Sequence, residues 1–142
     1  MIVVDTSAWI DFFRARETPV DLTLCRLLDQ GAALAATEVV VFELLAGARS
    51  DREHDGLRDR VLAFPVLPLN GLAGYEEAAS LYRACKAAGE APGSLADCLI
   101  AVPAIEANAT VLAADRDFEI LARHTPLRFE PLTSPDLSVA LG

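Results

Sequence analysis

A length of 142 residues suits one domain able to bury about two-thirds of its unfolded surface, and a single unit over residues 1–142 is expected. With 53% hydrophobic and 23% charged residues and no low-complexity tract, disordered and fibrous classes are excluded. A net charge of −9 argues against any partner that docks on a broad basic surface, nucleic acid first among them.

The chain opens MIVVDTSAW, with no basic segment ahead of its first acid, so no secretory signal is expected there. Ile2 to Val4 is a short apolar, β-branched run, the pattern of a parallel strand buried on both faces. Thr6 and Ser7 then offer caps for a helix carrying Trp9, Ile10, Phe12 and Phe13, which Pro19 ends. Val20 to Gln30 predicts a second helix closed by Gly31, and Ala32 to Ala36 a second strand. Thr37 is placed to cap an apolar helix over Glu38 to Ala48, and Ser50 with Glu53 forms a capping box for a helix reaching about Ala63. Val66 to Leu69, between Pro65 and Pro68, predicts a short or edge strand. A helix over Leu72 to Ala88 stops at Gly89, a loop runs to Ser94, and a helix follows from Leu95 to Asn108. Pro103 inside it predicts a kink. Thr110 to Ala113 and Leu127 to Phe129 complete the strands, with a helix over Arg116 to His124 between them and no assigned element in the tail.

Strands alternating with helices predict a three-layer α/β/α sandwich around a mainly parallel sheet. No apolar stretch reaches the roughly 18 residues of a membrane span. Cys25, Cys85 and Cys98 are odd in number, lack CxxC spacing and sit among apolar residues, so reduced core thiols in a cytoplasmic protein are expected.

Most acids keep polar company, as do Asp51, Glu53, Asp55 and Asp59 on one charged helix. Four do not: Asp5 ends IVVD, Glu43 sits in VVVFELLAG, Asp97 opens DCLIAV and Asp115 follows TVLAA. An ionised carboxylate in such surroundings is costly unless it is paired or holds a metal, and among basic residues only Arg116 adjoins them. Asp5 and Asp115 both follow strands, where open α/β sheets place their ligands. Spacing puts Glu43 on a helix face with Val39, Val40 and Gly47, and Asp97 on one with Ile100 and Ala101. Each has a plainer role as well: Asp5 and Asp115 can cap helices, Asp97 can be a first-turn acid, and Glu43 a half-exposed helix residue. Four convergent acids repel one another, and a hard dication relieves that repulsion. With only oxygen donors, Mg²⁺ or Mn²⁺, one ion or two, suits the set better than Zn²⁺, and phosphodiester hydrolysis is the natural reaction. Cations at such a site would also supply the local attraction for phosphate that the −9 charge denies.

The segments DTSAWIDFF from Asp5, FELLAG around Glu43, LADCLIAV around Asp97 and VLAADRDFEIL around Asp115 together resemble the PIN-domain ribonucleases, in particular VapC-type toxins of bacterial toxin-antitoxin pairs. The resemblance implies a Mg²⁺- or Mn²⁺-dependent endoribonuclease acting on structured RNA such as tRNA or ribosomal RNA. It maps the acidic quartet onto Asp5, Glu43, Asp97 and Asp115, and makes Asp117 an additional acid near the metal. Thr6 corresponds to the family's hydroxyl after the first Asp, either binding a metal-linked water or capping the helix. The resemblance further implies a homodimer and a VapB-like antitoxin. Trp9, Phe12 and Phe13 are candidate anchors for that partner, with core packing as their competing role. Ala113, where many relatives carry Thr or Ser, and Pro103, in place of a helix former, depart from the pattern. Arg14, Arg16, Arg49, Arg52 and Arg116 are candidate phosphate contacts or solvated surface.

Two rival functions share the acids. A small-molecule phosphatase would want a cation beside its nucleophile, and Lys86, the one lysine, is far from the four acids in sequence. A non-catalytic Mg²⁺-binding regulatory module would respond to metal while leaving RNA intact.

Overall fold

The computed structural model describes residues 1–133. In chain order the elements are β1 (Ile2–Val4), α1 (Thr6–Phe13), α2 (Pro19–Asp29), β2 (Leu34–Thr37), α3 (Glu38–Ala46) and α4 (Asp51–Val61). They continue with β3 (Val66–Leu67), α5 (Gly71–Ala87), α6 (Leu95–Glu106), β4 (Thr110–Leu112), α7 (Asp117–His124) and β5 (Arg128–Phe129). All strand pairs are parallel, in the order β3-β2-β1-β4-β5. β1 is central: Ile2 and Val3 face Leu34 and Ala35 on one side, and Ile2 to Val4 face Thr110 to Leu112 on the other. Hydrogen-bonded along both edges and covered on both faces, it needs an unbroken apolar sequence, and Val3 and Val4 are fully buried.

The strand order has a direct consequence for the helices. From β1 the chain steps outward through β2 to β3, then jumps back past β1 to β4 and β5. Right-handed crossovers put connections running in opposite directions on opposite faces. The helix contacts divide accordingly: α1 packs on α2 and α3, α3 on α4, while α5, α6 and α7 pack on one another. The two groups meet where α3 touches α6. The sheet reverses its winding between β1 and β4, so the ends of those strands open onto a crevice at a topological switch point.

Local chemistry sets the element ends. Thr37 accepts from Val40 N at 3.2 Å and Ser50 from Glu53 N at 3.1 Å, the caps expected of them. β3 is the short edge strand its flanking prolines call for. Several expectations are corrected. Thr6 and Ser7 do not cap α1; Asp5 does, the plainer role open to it, its carboxylate accepting from Ser7 N. Pro19 begins α2 instead of only ending α1, its missing N–H being harmless in a first turn that Thr18 caps. Thr37 belongs to β2 by its backbone, pairing with Leu67, even as its side chain caps α3. α3 stops at Ala46, α4 at Val61 and α6 at Glu106, ahead of the expected ends. α6 runs through the buried Pro103 without ending there. Cys25 is exposed, on the solvent side of α2; Cys85 and Cys98 are buried thiols as expected. Among the described residues no helix is long and apolar enough to cross a membrane. The tail beyond residue 133 lies outside the described residues.

Candidate metal centre

Asp5 is the first residue past β1, and its N–H still bonds to Leu112 O at 2.9 Å across the sheet. Its carboxylate turns back over α1, where Oδ2 accepts from Ser7 N at 3.1 Å and from Ser7 Oγ at 2.6 Å. The residue is only 3% exposed. Burial pushes its carboxyl up to about 6 against the pull of the Ser7 hydrogen bonds, with the charge of Glu43 adding to the rise. Ser7 Oγ also accepts from Ala114 N at 3.0 Å, so one hydroxyl ties the end of β1 to the loop after β4.

Asp97 lies in the first turn of α6 and is 5% exposed. Burial first, and then its acidic neighbours Asp115, Asp5 and Asp117, together push its carboxyl up to about 9. Its Oδ2 is buried with no hydrogen-bond partner among the described residues. An orphaned carboxylate oxygen inside a protein is rare and calls for an explanation, an absent ion being one.

Asp115 sits in the loop between β4 and α7, and its Oδ1 accepts from Asp117 N at 2.9 Å. Asp117 in turn accepts from Gly93 N and Ser94 N, each at 3.0 Å, and so fastens α7 to the amino end of α6. Asp97, Asp115 and Asp117 each offer an oxygen within 4.8 Å of the others. Glu43 projects from α3 at the α3–α6 meeting point, half-buried, and its Oε1 accepts from Thr6 Oγ1 at 2.9 Å.

The five acids therefore form one electrostatic unit with an inner group. Asp97 feels Asp115, Asp5 and Asp117, and Asp5 feels Glu43. The inner three include Asp117 and neither Asp5 nor Glu43. Thr6 is a hydroxyl donor to Glu43 and not a cap. The donor set is oxygen only, and its buried, mutually repelling carboxylates with one orphaned oxygen fit a hard divalent cation.

Other candidates fall elsewhere. Trp9 is 1% exposed, stacked on Phe13 at 5.6 Å and tilted against Phe64 at 5.3 Å, so it is a core residue and not a surface anchor. Phe12 and Phe13 stay half-buried. Arg16 is ion-paired with Asp11 at 3.0 Å. Arg14, Arg49, Arg52 and Arg116 are exposed. Sequence reasoning missed Ser7 as a link between β1 and β4; its place two residues after a buried strand-end acid was the available signal.

The PIN domain family model matches residues 2–124 of the chain. Over 129 residues the chain is 40% identical to VapC ribonuclease Mb1587 of Mycobacterium bovis, a span covering 90% of this chain and 96% of that one. It is equally similar to ribonuclease VapC11 of Mycobacterium tuberculosis strain H37Rv, 40% identical over the same 129 residues, 90% of this chain and 96% of the relative. Among solved structures, VapBC2 from Rickettsia felis bound to a promoter DNA fragment is similar at TM-score 0.70 and 21% identity, covering 92% of this chain and 98% of that chain. VapBC-1 from nontypeable Haemophilus influenzae gives TM-score 0.71 at 18% identity, over 92% of this chain and 97% of the other.

Proposed function

The chain belongs to the PIN-domain family, and from that premise we propose that it is a metal-dependent endoribonuclease, the toxin of a toxin-antitoxin pair, with residues 1–142 forming a single such domain. The observation that carries this reading is the orphaned, buried Asp97 Oδ2 inside an oxygen-only group at the switch point of the sheet. The likeness to VapC ribonucleases over 90% of the chain supports RNA as the substrate.

Asp5, Glu43, Asp97 and Asp115 would hold Mg²⁺ or Mn²⁺, as one ion or two, with Asp117 beside them. When bound, the dication polarises the scissile phosphodiester and makes a nucleophilic water available at neutral pH. The protein's own residues do the positioning. Ser7 fixes the Asp5 carboxylate and, through Ala114 N, the loop that carries Asp115. Thr6 orients Glu43, and Asp117 locks the amino end of α6 so that Asp97 faces the other acids. Burial of Asp5 and Asp97 excludes water from their far sides and strengthens every charge interaction on the side that remains open.

A VapB-like antitoxin is the proposed partner, because the similar solved structures from Rickettsia felis and Haemophilus influenzae are VapBC complexes. A homodimer is also proposed. Phe42 on α3, Leu72 and Tyr75 on α5 and Leu95 on α6 are all more than half exposed, and the two grooves that Phe42, Tyr75 and Leu95 edge share Tyr75 and Leu99. Apolar patches of this kind mark protein contacts. The working compartment is the cytoplasm, where an RNA-directed toxin meets its substrate.

The test is cleavage of total cellular RNA, with ends mapped, by the purified chain in Mg²⁺ or Mn²⁺ and in EDTA, beside Asp97→Asn. Defined internal cuts that need metal and Asp97 are expected. Intact RNA together with phosphate release from small esters would replace the reading with a phosphatase. Metal-dependent stability with neither activity would replace it with a regulatory module.

A further inference from the structure

Beside the acidic centre lies a second feature that the metal does not need. A cavity of about 370 Å³ opens between α1, α3 and α4, over an apolar floor of Ile10, Leu44 and Leu57. That volume falls in the range of roughly 300–1,000 Å³ typical of sites for small organic groups. Glu43 forms part of its wall, so the cavity is continuous with the acids. Three arginines, Arg14, Arg49 and Arg60, line it, and none of them is ion-paired among the described residues. In a chain of net charge −9 such a convergence is a local exception. Glu53 is the other acid on the lining, and Glu43 is turned toward the metal centre by its bond with Thr6.

One arginine is held in a particular way. The Arg60 guanidinium lies 4.5 Å from the centroid of the Phe13 ring, and Phe13 is itself stacked on buried Trp9 at 5.6 Å. A guanidinium held against an aromatic ring keeps its plane and its charge while losing little further freedom on binding. Planar cations of this kind stack on unpaired bases, whereas the bases of a duplex are already stacked on one another and unavailable.

We propose that this cavity is the substrate-strand subsite: it takes one unpaired nucleotide adjoining the scissile phosphate, its base on the Phe13–Arg60 stack and its flanking phosphates on Arg14 and Arg49. Three unpaired positive charges leading to a dication site suit a polyanionic strand, and the chain restricts its choice to RNA segments with an extruded or single-stranded base. This rests on the ribonuclease reading and adds to it the residues that select the strand.

The experiment measures binding of a fluorescent single-stranded oligoribonucleotide to full-length Asp97→Asn protein, which leaves the RNA uncut, across a salt series, with Arg14→Ala, Arg49→Ala, Arg60→Lys and, as a control off the cavity, Arg58→Ala added singly. Wild-type cleavage of the same RNA is followed in parallel. Loss of Arg14 or Arg49 is expected to weaken binding roughly tenfold, as for a charged hydrogen bond. Each loss should also reduce the slope of log K against log salt by about 0.7, the value for one phosphate contact on a single strand. Arg60→Lys should keep the slope, lose affinity for single strands and leave the weaker affinity for a duplex of the same sequence unchanged. If the wild-type protein cuts RNA and the three variants bind like Arg58→Ala, the subsite is wrong and the ribonuclease reading stands. If the wild-type protein neither binds nor cuts any RNA, both fall. If the variants lose only an antitoxin peptide, the cavity is a protein-docking site and the proposal is overturned.

Discussion

Replacing Asp97 by Asn should make the metal-free protein more stable while abolishing its activity. The Asp97 carboxyl is raised from its ordinary 3.8 to about 9 in the fold, by burial first and by its acidic neighbours second. Because the folded value lies above the unfolded one, the native state holds this proton more tightly than the unfolded chain does. Its contribution is fully present below pH 3.8 and is lost progressively as pH rises toward 9. At pH 7.5 the loss accumulates over nearly four pH units at about 1.4 kcal/mol each, a ceiling of about 5 kcal/mol. The neighbouring Asp115 is half exposed and screened by water, so about half of that ceiling, roughly 2–3 kcal/mol, is expected. Asn mimics the protonated form at every pH and can donate to Asp115. In thermal unfolding with EDTA at pH 7.5, Asp97→Asn should melt roughly 5–10 °C above the wild type, and the gap should shrink toward pH 4. Divalent metal acts in the opposite sense: at a hundred times its Kd it stabilises the wild type by about 2.7 kcal/mol and leaves the variant nearly unchanged. A variant less stable than the wild type in EDTA, or stabilised equally by Mn²⁺, would refute the repulsive-cluster account.

Other changes test separate parts of the structure. Ser7→Ala removes both the 2.6 Å bond to Asp5 and the acceptor for Ala114 N, and should lower Mn²⁺ affinity by roughly 10–100-fold in calorimetry while costing the fold about 1 kcal/mol in urea. Gly74→Ala would set a Cβ 1.8 Å from Leu69 O, forcing α5 off its seat, and should destabilise by about 3 kcal/mol with metal affinity of the folded protein unchanged. The paired change Phe42→Glu with Leu72→Glu puts charges on the exposed α3–α5 patch and should halve the sedimenting mass; an unchanged mass would remove the proposed dimer face.

Much of the fold was legible because its signals are local. The IVV run, the caps at Thr37 and Ser50 and the prolines around β3 each act within a few residues. Asp5 and Asp115 stood out as candidate site acids for the same reason, Asp5 directly after β1 and Asp115 in the loop that follows β4. What sequence reading could not rank was which acids stand closest. Asp117 joins Asp97 and Asp115 because its carboxylate binds Gly93 N and Ser94 N, a pairing made across more than twenty residues and set by how α7 docks on α6. For Trp9 the sequence left core packing and partner anchoring open, because what decides it is the packing of Phe64, from beyond α4, against its ring. The exposed Cys25 shows the limit of judging burial by apolar neighbours in sequence: it lies on the outer side of α2, beside Asp21. The convergence of Arg14, Arg49 and Arg60 depends likewise on α1, α3 and α4 sharing one face of the sheet.

The most direct measurement is anomalous X-ray scattering from crystals of the wild-type protein grown with Mn²⁺. A manganese peak within ligand distance, about 2.2 Å, of oxygens from Asp97 and Asp115, with Asp5 in the same coordination sphere or one water away, is the predicted result. Manganese elsewhere on the surface with these carboxylates left bare would contradict the claim that they converge to hold a cation.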